Sequence, residues 1–145
     1  MQRPIIQVSV STVPMSWESV LMIQPYLKLM KIPTWTHMTI WIDGSWYDLC
    51  FNGVGKSNTI PFTNHYTIKW EVSYYMETIM LNRIDAIARL NTRVTLQDLI
   101  MAGLGMRSTT CVSFIGSVLG VDLPVTPYKA MQELKRLINL GHFTY

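Results

Sequence analysis

Charge is scarce in this chain. Asp, Glu, Lys and Arg make up 14% of its 145 residues, and the 12 basic and 9 acidic side chains are scattered, with Lys135 and Arg136 the only adjacent cations. No basic stripe is offered to phosphates, so a net charge of +3 and a pI near 9.0 do not make nucleic acid an expected partner. Cysteine is nearly absent. Cys50 and Cys111 alone cannot build the disulfide framework of a small secreted protein, and they favour a reducing, cytoplasmic setting. Long apolar runs are missing as well. Lys28, Asn82 or Gly116 interrupts the longest of them before the about 18 residues that a bilayer span needs. The N-terminal MQRPIIQVSVSTV is broken by Gln7 and Ser9 before a signal h-region can form. A soluble protein without a targeting segment or stable membrane insertion is expected.

Apolar residues, by contrast, are plentiful at 49%, enough for a sizeable core at a length that suits one domain over residues 1–145. No linker, internal repeat or low-complexity segment divides the chain. Ten methionines and five tryptophans are many for this length, and Trp17, Trp35, Trp41, Trp46 and Trp70 all fall in the first half. They read as lining of a core or a groove.

Alternation of apolar and polar residues predicts a strand over Ile5 to Ser11, and apolar residues at helical spacing predict a helix over Trp17 to Met30. Thr36–Ile42 and Trp46–Phe51 are β-rich runs separated by Asp43 and Gly44, which is the signature of a tight hairpin. Asn52–Gly55 reads as a loop, with further strands over Thr59–Phe62 and His65–Val72. Helical stripes then take over. One runs from Met76 to Leu90, and a second from Leu96 to Ala102 behind the capping box of Thr95 and Asp98. A third, capped by Thr109 or Thr110, ends at Leu119 before Gly120. Thr126, Pro127 and Gly141 bracket the last helix. The expected class is α+β, an antiparallel sheet of about four or five strands packed against about four helices.

Thiol chemistry needs a stabilised thiolate, a base and a group that orients the base. Cys111 follows Ser108, Thr109 and Thr110, so it falls in the first turn of its helix, where the dipole and unused N–H groups favour an anion. Its own amide belongs to the set that can hold an oxyanion. The same position, in phase with Ile115 and Val118, also suits a small apolar core residue. Counting back through the Asp43-Gly44 turn places His37 opposite Cys50 and puts Asp48 on the same sheet face, one diagonal away. A carboxylate there can fix the imidazole tautomer and raise its basicity. An ordinary core histidine with an unrelated aspartate fits the same pattern. Cys50, between Leu49 and Phe51, reads as a core thiol, His65 as an alternative orienter, and His142 as a surface residue. The three histidines and two cysteines show no short ligand spacing, so no metal or other cofactor is expected. Gly53 to Ser57 ends like a phosphate-binding loop but lacks the first glycine, Cys50 standing there, and it lacks the helix that should follow.

THMTIWIDGSWYDL (Thr36–Leu49) and STTCVSFIGSVLG (Ser108–Gly120) resemble the histidine hairpin and nucleophile helix of the circularly permuted papain-like amidases related to NlpC and to lecithin retinol acyltransferase. Gly53 to Gly55 resembles their glycine-bearing loop. In that family the third residue is more often His, Asn or Glu, so Asp48 departs from the usual pattern. The resemblance implies a permuted papain-like fold, Cys111 as nucleophile, His37 as base, Asp48 as orienter, and an acyl-enzyme intermediate. The substrate it implies is a peptide, isopeptide or cell-wall amide. An acyltransferase or lipid acyl hydrolase of the same fold is the second expectation, with Trp35, Trp41 and Trp46 lining the groove. A non-catalytic interaction protein that keeps the fold is the third. A chain of this style looks like those of bacteriophages, which would place it in the host cytoplasm.

Overall fold

A computed structural model describes residues 2–13, 24–29, 35–59 and 65–143 of the chain. Five strands form one antiparallel sheet: β1 (Ile5–Val13), β2 (Trp35–Ile42), β3 (Ser45–Cys50), β4 (Gly53–Ser57) and β5 (His65–Glu71). Their spatial order is β4-β3-β2-β1-β5. A short helix, α1 (Gln24–Leu29), lies between β1 and β2 in sequence. Four helices follow the sheet: α2 (Tyr74–Arg89), α3 (Leu96–Gly103), α4 (Cys111–Leu119) and α5 (Pro127–Asn139). An antiparallel sheet with four of the five described helices following it in sequence makes the molecule α+β. None of the described helices is long and apolar enough to cross a membrane.

Asp43 and Gly44 take positive φ angles of 49° and 82°, as a two-residue hairpin turn of the primed type demands. They set the register Ile42↔Ser45, Trp41↔Trp46 and Ile40↔Tyr47, and there the β2–β3 ladder ends. β2 nevertheless stays paired with β1 down to Trp35, and β3 with β4 down to Cys50. The two central strands therefore part like a fork beyond Ile40 and Tyr47.

Alternation gives the sheet two faces. Val8, Ile40 and Ile68 stand in register on one, joined by Ile6, Met38 and Ile42, and this face packs into the core with Met80 and Ile84 of α2 and Ile115 of α4. Full burial of a residue such as Ile40 contributes about 1.5–3 kcal/mol. The other face carries Ser9, Ser11, His37 and Thr39 from β1 and β2, all buried although polar. Thr67 on β5 donates a hydrogen bond to Ser9 Oγ at 3.2 Å along this row. Asp48 and Cys50 of β3 share the face with His37.

The helix boundaries follow their caps. Ser73 and Thr95 accept hydrogen bonds from N–H groups in the first turns of α2 and α3. α4 begins behind Thr110 and stops at Gly120 in the left-handed conformation. Thr126 stands at the α5 N-cap without a side-chain hydrogen bond, so Pro127 at the first helical position marks that start. The segment expected to be a loop from Asn52 is corrected here. Phe51 and Asn52 make a tight turn, and Gly53–Ser57 is edge strand β4, since pairing with β3 rather than an alternating side-chain pattern makes it a strand. The phosphate-loop likeness falls in that strand. Of the predicted helix over Trp17–Met30, Gln24–Leu29 is helical and the remainder lies outside the described residues. Of the predicted strand over Thr59–Phe62, Thr59 is not in a strand and residues 60–62 are outside them.

Candidate active site

The hairpin brings the first two residues of the site together. Continuing its register past the last paired rung sets His37 opposite Cys50, with Asp48 on the diagonal, and Asp48 Oδ2 lies 2.8 Å from His37 Nε2. The imidazole is buried, while the Asp48 side chain keeps 17% of its surface exposed. Asp48 is paired across β4 with Gly55, and a Cβ on Gly55 would collide with Asp48 Oδ1. The missing side chain at position 55 is what gives the carboxylate room to lie there.

The third residue comes from a helix fixed at both ends. At its start, Thr110 N–H donates to Ser113 Oγ (2.8 Å) and Ser113 N–H to Thr110 Oγ1 (3.4 Å), a reciprocal capping box. Asp98 of α3 braces the approach, with Oδ2 accepting from Thr95 N–H (2.9 Å) and Oδ1 from Thr109 N–H (3.2 Å). At the far end Arg83 Nη1 donates to Val118 O at 3.0 Å, and Gly120 lies so close to that guanidinium that a Cβ would meet it. Cys111 is the first helical residue and is 6% exposed. Its N–H and that of Val112 have no acceptor within the helix.

The fork explains how a thiol on a core helix meets an imidazole on the polar face. In a two-residue hairpin the pair flanking the turn is hydrogen-bonded, and so are alternate pairs beyond it. Ile42, Ile40 and Met38 therefore aim their N–H groups toward β3. The ladder ends before Met38, and its N–H donates to the Cys111 sulfur instead. With Nε2 on Asp48, Nδ1 is the ring nitrogen through which a proton can pass to and from Cys111.

The two groups shift each other in opposite directions. Burial alone would lower the pKa of His37. The charge of Cys111 opposes it, together with hydrogen bonds to Asp48, Cys111 and Cys50, and the pKa stands well above the usual value. Burial alone would raise Cys111, yet the charge and hydrogen bond of His37 and the Met38 N–H bring its pKa below that of an ordinary thiol. Both directions favour a thiolate beside an imidazolium. Cys50 touches the same ring and behaves differently: burial, joined by the negative charge of Asp48, pushes its pKa up, and contact with His37 only partly offsets this.

His37, Asp48 and Cys111 thus stand together. His65 is in register with Ser11, which is in register with His37, so its backbone lies on the far side of β1 from the Asp48 strand. Trp41 and Trp46 face each other across the hairpin, half-buried, on the face of His37 and Asp48. Trp35 ends β2, its side chain outside the described residues, and Trp17 lies outside them altogether. Trp70 is buried in the core, 5.5 Å from Phe143 between ring centroids, and His142 is exposed with its ring edge-on to Phe143. Cys50 is half-buried beside His37 rather than a core residue. Sequence reading missed the roles of Gly55, Asp98 and the Met38 amide. The capping-box pattern exposes one oxygen of Asp98, but nothing local signals the second. No protein-family model matches this chain, and neither a curated protein nor a solved structure does, so its functional reading rests on the geometry of Cys111, His37 and Asp48.

Proposed function

We propose that this chain is a cysteine-dependent hydrolase that cleaves an amide bond of a peptide, isopeptide or cell-wall peptide through an acyl-enzyme on Cys111. The observation that carries the reading is the linked row Asp48–His37–Cys111, in which the imidazole is pushed toward its cation and the thiol toward its anion. In the reaction the Cys111 thiolate attacks the carbonyl carbon. The C–S bond forms, the carbonyl electron pair moves to oxygen, and the helix N-terminus with the Cys111 amide stabilises that charge. The His37 imidazolium gives its proton to the leaving nitrogen as the C–N bond breaks. His37 then takes a proton from water, the hydroxide attacks the thioester, and cleavage of the C–S bond restores the thiolate. Asp48 holds the tautomer throughout and stabilises the cation. The order of the site along the chain, with a histidine hairpin before the nucleophile helix, supports the permuted papain-like resemblance. No step calls for a cofactor.

Transfer of an acyl group from a lipid to an acceptor other than water is the second reading. It is favoured by the Trp41–Trp46 pair, an apolar platform on the face of His37. Soluble amides and acyl-lipid vesicles offered in parallel separate the two. An interaction protein with no turnover remains the contrasting class, and it requires no activated thiol.

Mass-spectrometric alkylation of Cys111 and Cys50 across pH decides between these classes. The pKa of Cys111 is lowered and that of Cys50 raised, so a larger share of Cys111 is thiolate and Cys111 reacts first at about pH 6. The preference shrinks as pH rises and Cys50 ionises. His37→Ala leaves only the Met38 N–H to oppose the effect of burial and lowers the Cys111 rate at that pH by about a hundredfold. A Cys111 that alkylates no faster than a free thiol at about pH 6 refutes the hydrolase.

A further inference from the structure

The donors gathered around His37 outnumber those the proposed reaction uses. Asp48 and Cys50 stand two residues apart on β3 and so share a face, and His37 reaches them across the hairpin. An imidazole nitrogen, a carboxylate oxygen and a thiol sulfur all lie within 4.8 Å of one another, and among the described residues this group alone could hold a metal ion. Counting only histidine and cysteine spacings hides it, because the chelating pair is Asp-x-Cys on a strand. Cys50 has no task in the acyl transfer. One side of the group opens to solvent, since Cys50 is half-buried and the Asp48 side chain is 17% exposed.

We propose that His37 Nε2, Asp48 and Cys50 form a site for a single thiophilic divalent cation, with Zn²⁺ as the type, and that its occupation switches off Cys111. Mixed nitrogen, sulfur and carboxylate donors suit zinc, whereas Mg²⁺ and Ca²⁺ select oxygen. A tetrahedral ion with bonds of about 2.0–2.3 Å sets its ligands about 3.3–3.7 Å apart. The donor spacings here run from 2.8 Å between His37 and Asp48 to no more than 4.8 Å, so small side-chain rotations close the cage and leave the fourth position to water. On binding, Cys50 releases its thiol proton and the His37 imidazolium its Nε2 proton to solvent, and Asp48 exchanges its hydrogen bond for a metal bond. A neutral imidazole carries one N–H. With the Nε2 lone pair on the metal, that proton sits on Nδ1, and the neutral ring can neither take up a second proton nor supply the imidazolium charge that holds Cys111 as its thiolate. This inhibitory half rests on the hydrolase reading, whereas the binding half does not.

Co²⁺ serves as the spectroscopic probe, titrated into Cys111→Ser and Cys50→Ser proteins whose folding is checked by circular dichroism. The expected result is a thiolate-to-cobalt charge-transfer band with tetrahedral d–d intensity, one ion per chain, kept in Cys111→Ser and lost in Cys50→Ser. A band kept in Cys50→Ser and lost in Cys111→Ser overturns the site, as does no band in either. Asp48→Asn, which preserves shape, weakens Co²⁺ binding about tenfold or more, and unchanged affinity counts against the assignment. In the unaltered protein Zn²⁺ slows alkylation of Cys111 and a chelator restores it. Cobalt binding to Cys111→Ser without this protection leaves the metal site standing and removes the inhibition alone.

Discussion

β1 and β2 hide two rows of side chains, and the two could hardly differ more in chemistry. Ile6, Val8, Val10, Met38, Ile40 and Ile42 form the apolar row, and Ser9, Ser11, His37 and Thr39 the polar one, yet none of these residues exposes more than 6% of its surface. Burial of the first row drives folding at about 25 cal/mol per Å². Burial of the second opposes it, since a hidden hydroxyl without a partner costs about 1–3 kcal/mol. Ser11 Oγ and Thr39 Oγ1 have no partner among the described residues. Depth alone therefore does not identify the core of this protein. The polar row buries His37 among its members, and weak screening there strengthens the attraction between imidazolium and thiolate.

The sharpest way to break this contrast is to place a hydroxyl in the apolar row. Ile40→Thr removes buried carbon and strands an oxygen, and the denaturant midpoint is expected to report a loss of about 3 kcal/mol. A loss below about 1 kcal/mol would erase the distinction between the faces. Gly55→Ala drives a methyl group into the Asp48 carboxylate, with an expected loss of about 1–3 kcal/mol. Slower alkylation of Cys111 at acidic pH should accompany it as His37 loses its acceptor. Unchanged reactivity would show that Asp48 does not position the imidazole. Thr39→Val replaces an orphaned hydroxyl by a methyl of similar shape and should leave stability unchanged or raise it by up to about 1 kcal/mol. A clear drop in melting temperature would mean that the hydroxyl holds a partner. The smallest effect is spectroscopic. The Met38 amide resonance should move with pH as Cys111 ionises and become insensitive in Cys111→Ala, and a resonance that ignores Cys111 would close the fork.

What the sequence discloses is governed by distance along the chain. The Asp43-Gly44 turn fixes a register and the strand period is two, so the shared face of His37 and Asp48 can be counted from residues alone. Capping chemistry likewise locates Cys111 at the first turn of α4. Cys50 misleads because its neighbours Leu49 and Phe51 are apolar. Alternation outranks neighbourhood, and Leu49 is 1% exposed while Cys50 turns to the polar face. β4 is hidden for a related reason: GVGKS has no alternating pattern and becomes a strand only by pairing with β3. The parting of β2 from β3 and the transfer of the Met38 N–H to sulfur depend on how α4 docks, and no local signal encodes that.

The fork also governs when the thiol becomes reactive. The hairpin that pairs His37 with Asp48 is local and can form early, whereas Cys111 arrives from far downstream and enters the gap only once its helix has docked. Until that long-range contact closes, Cys111 is an ordinary thiol, so a nascent or misfolded chain lacks the lowered thiol pKa of the folded one. Reactivity toward iodoacetamide at low pH is accordingly a clock for the last step of folding, and in a refolding experiment it should appear after the secondary structure and not with it.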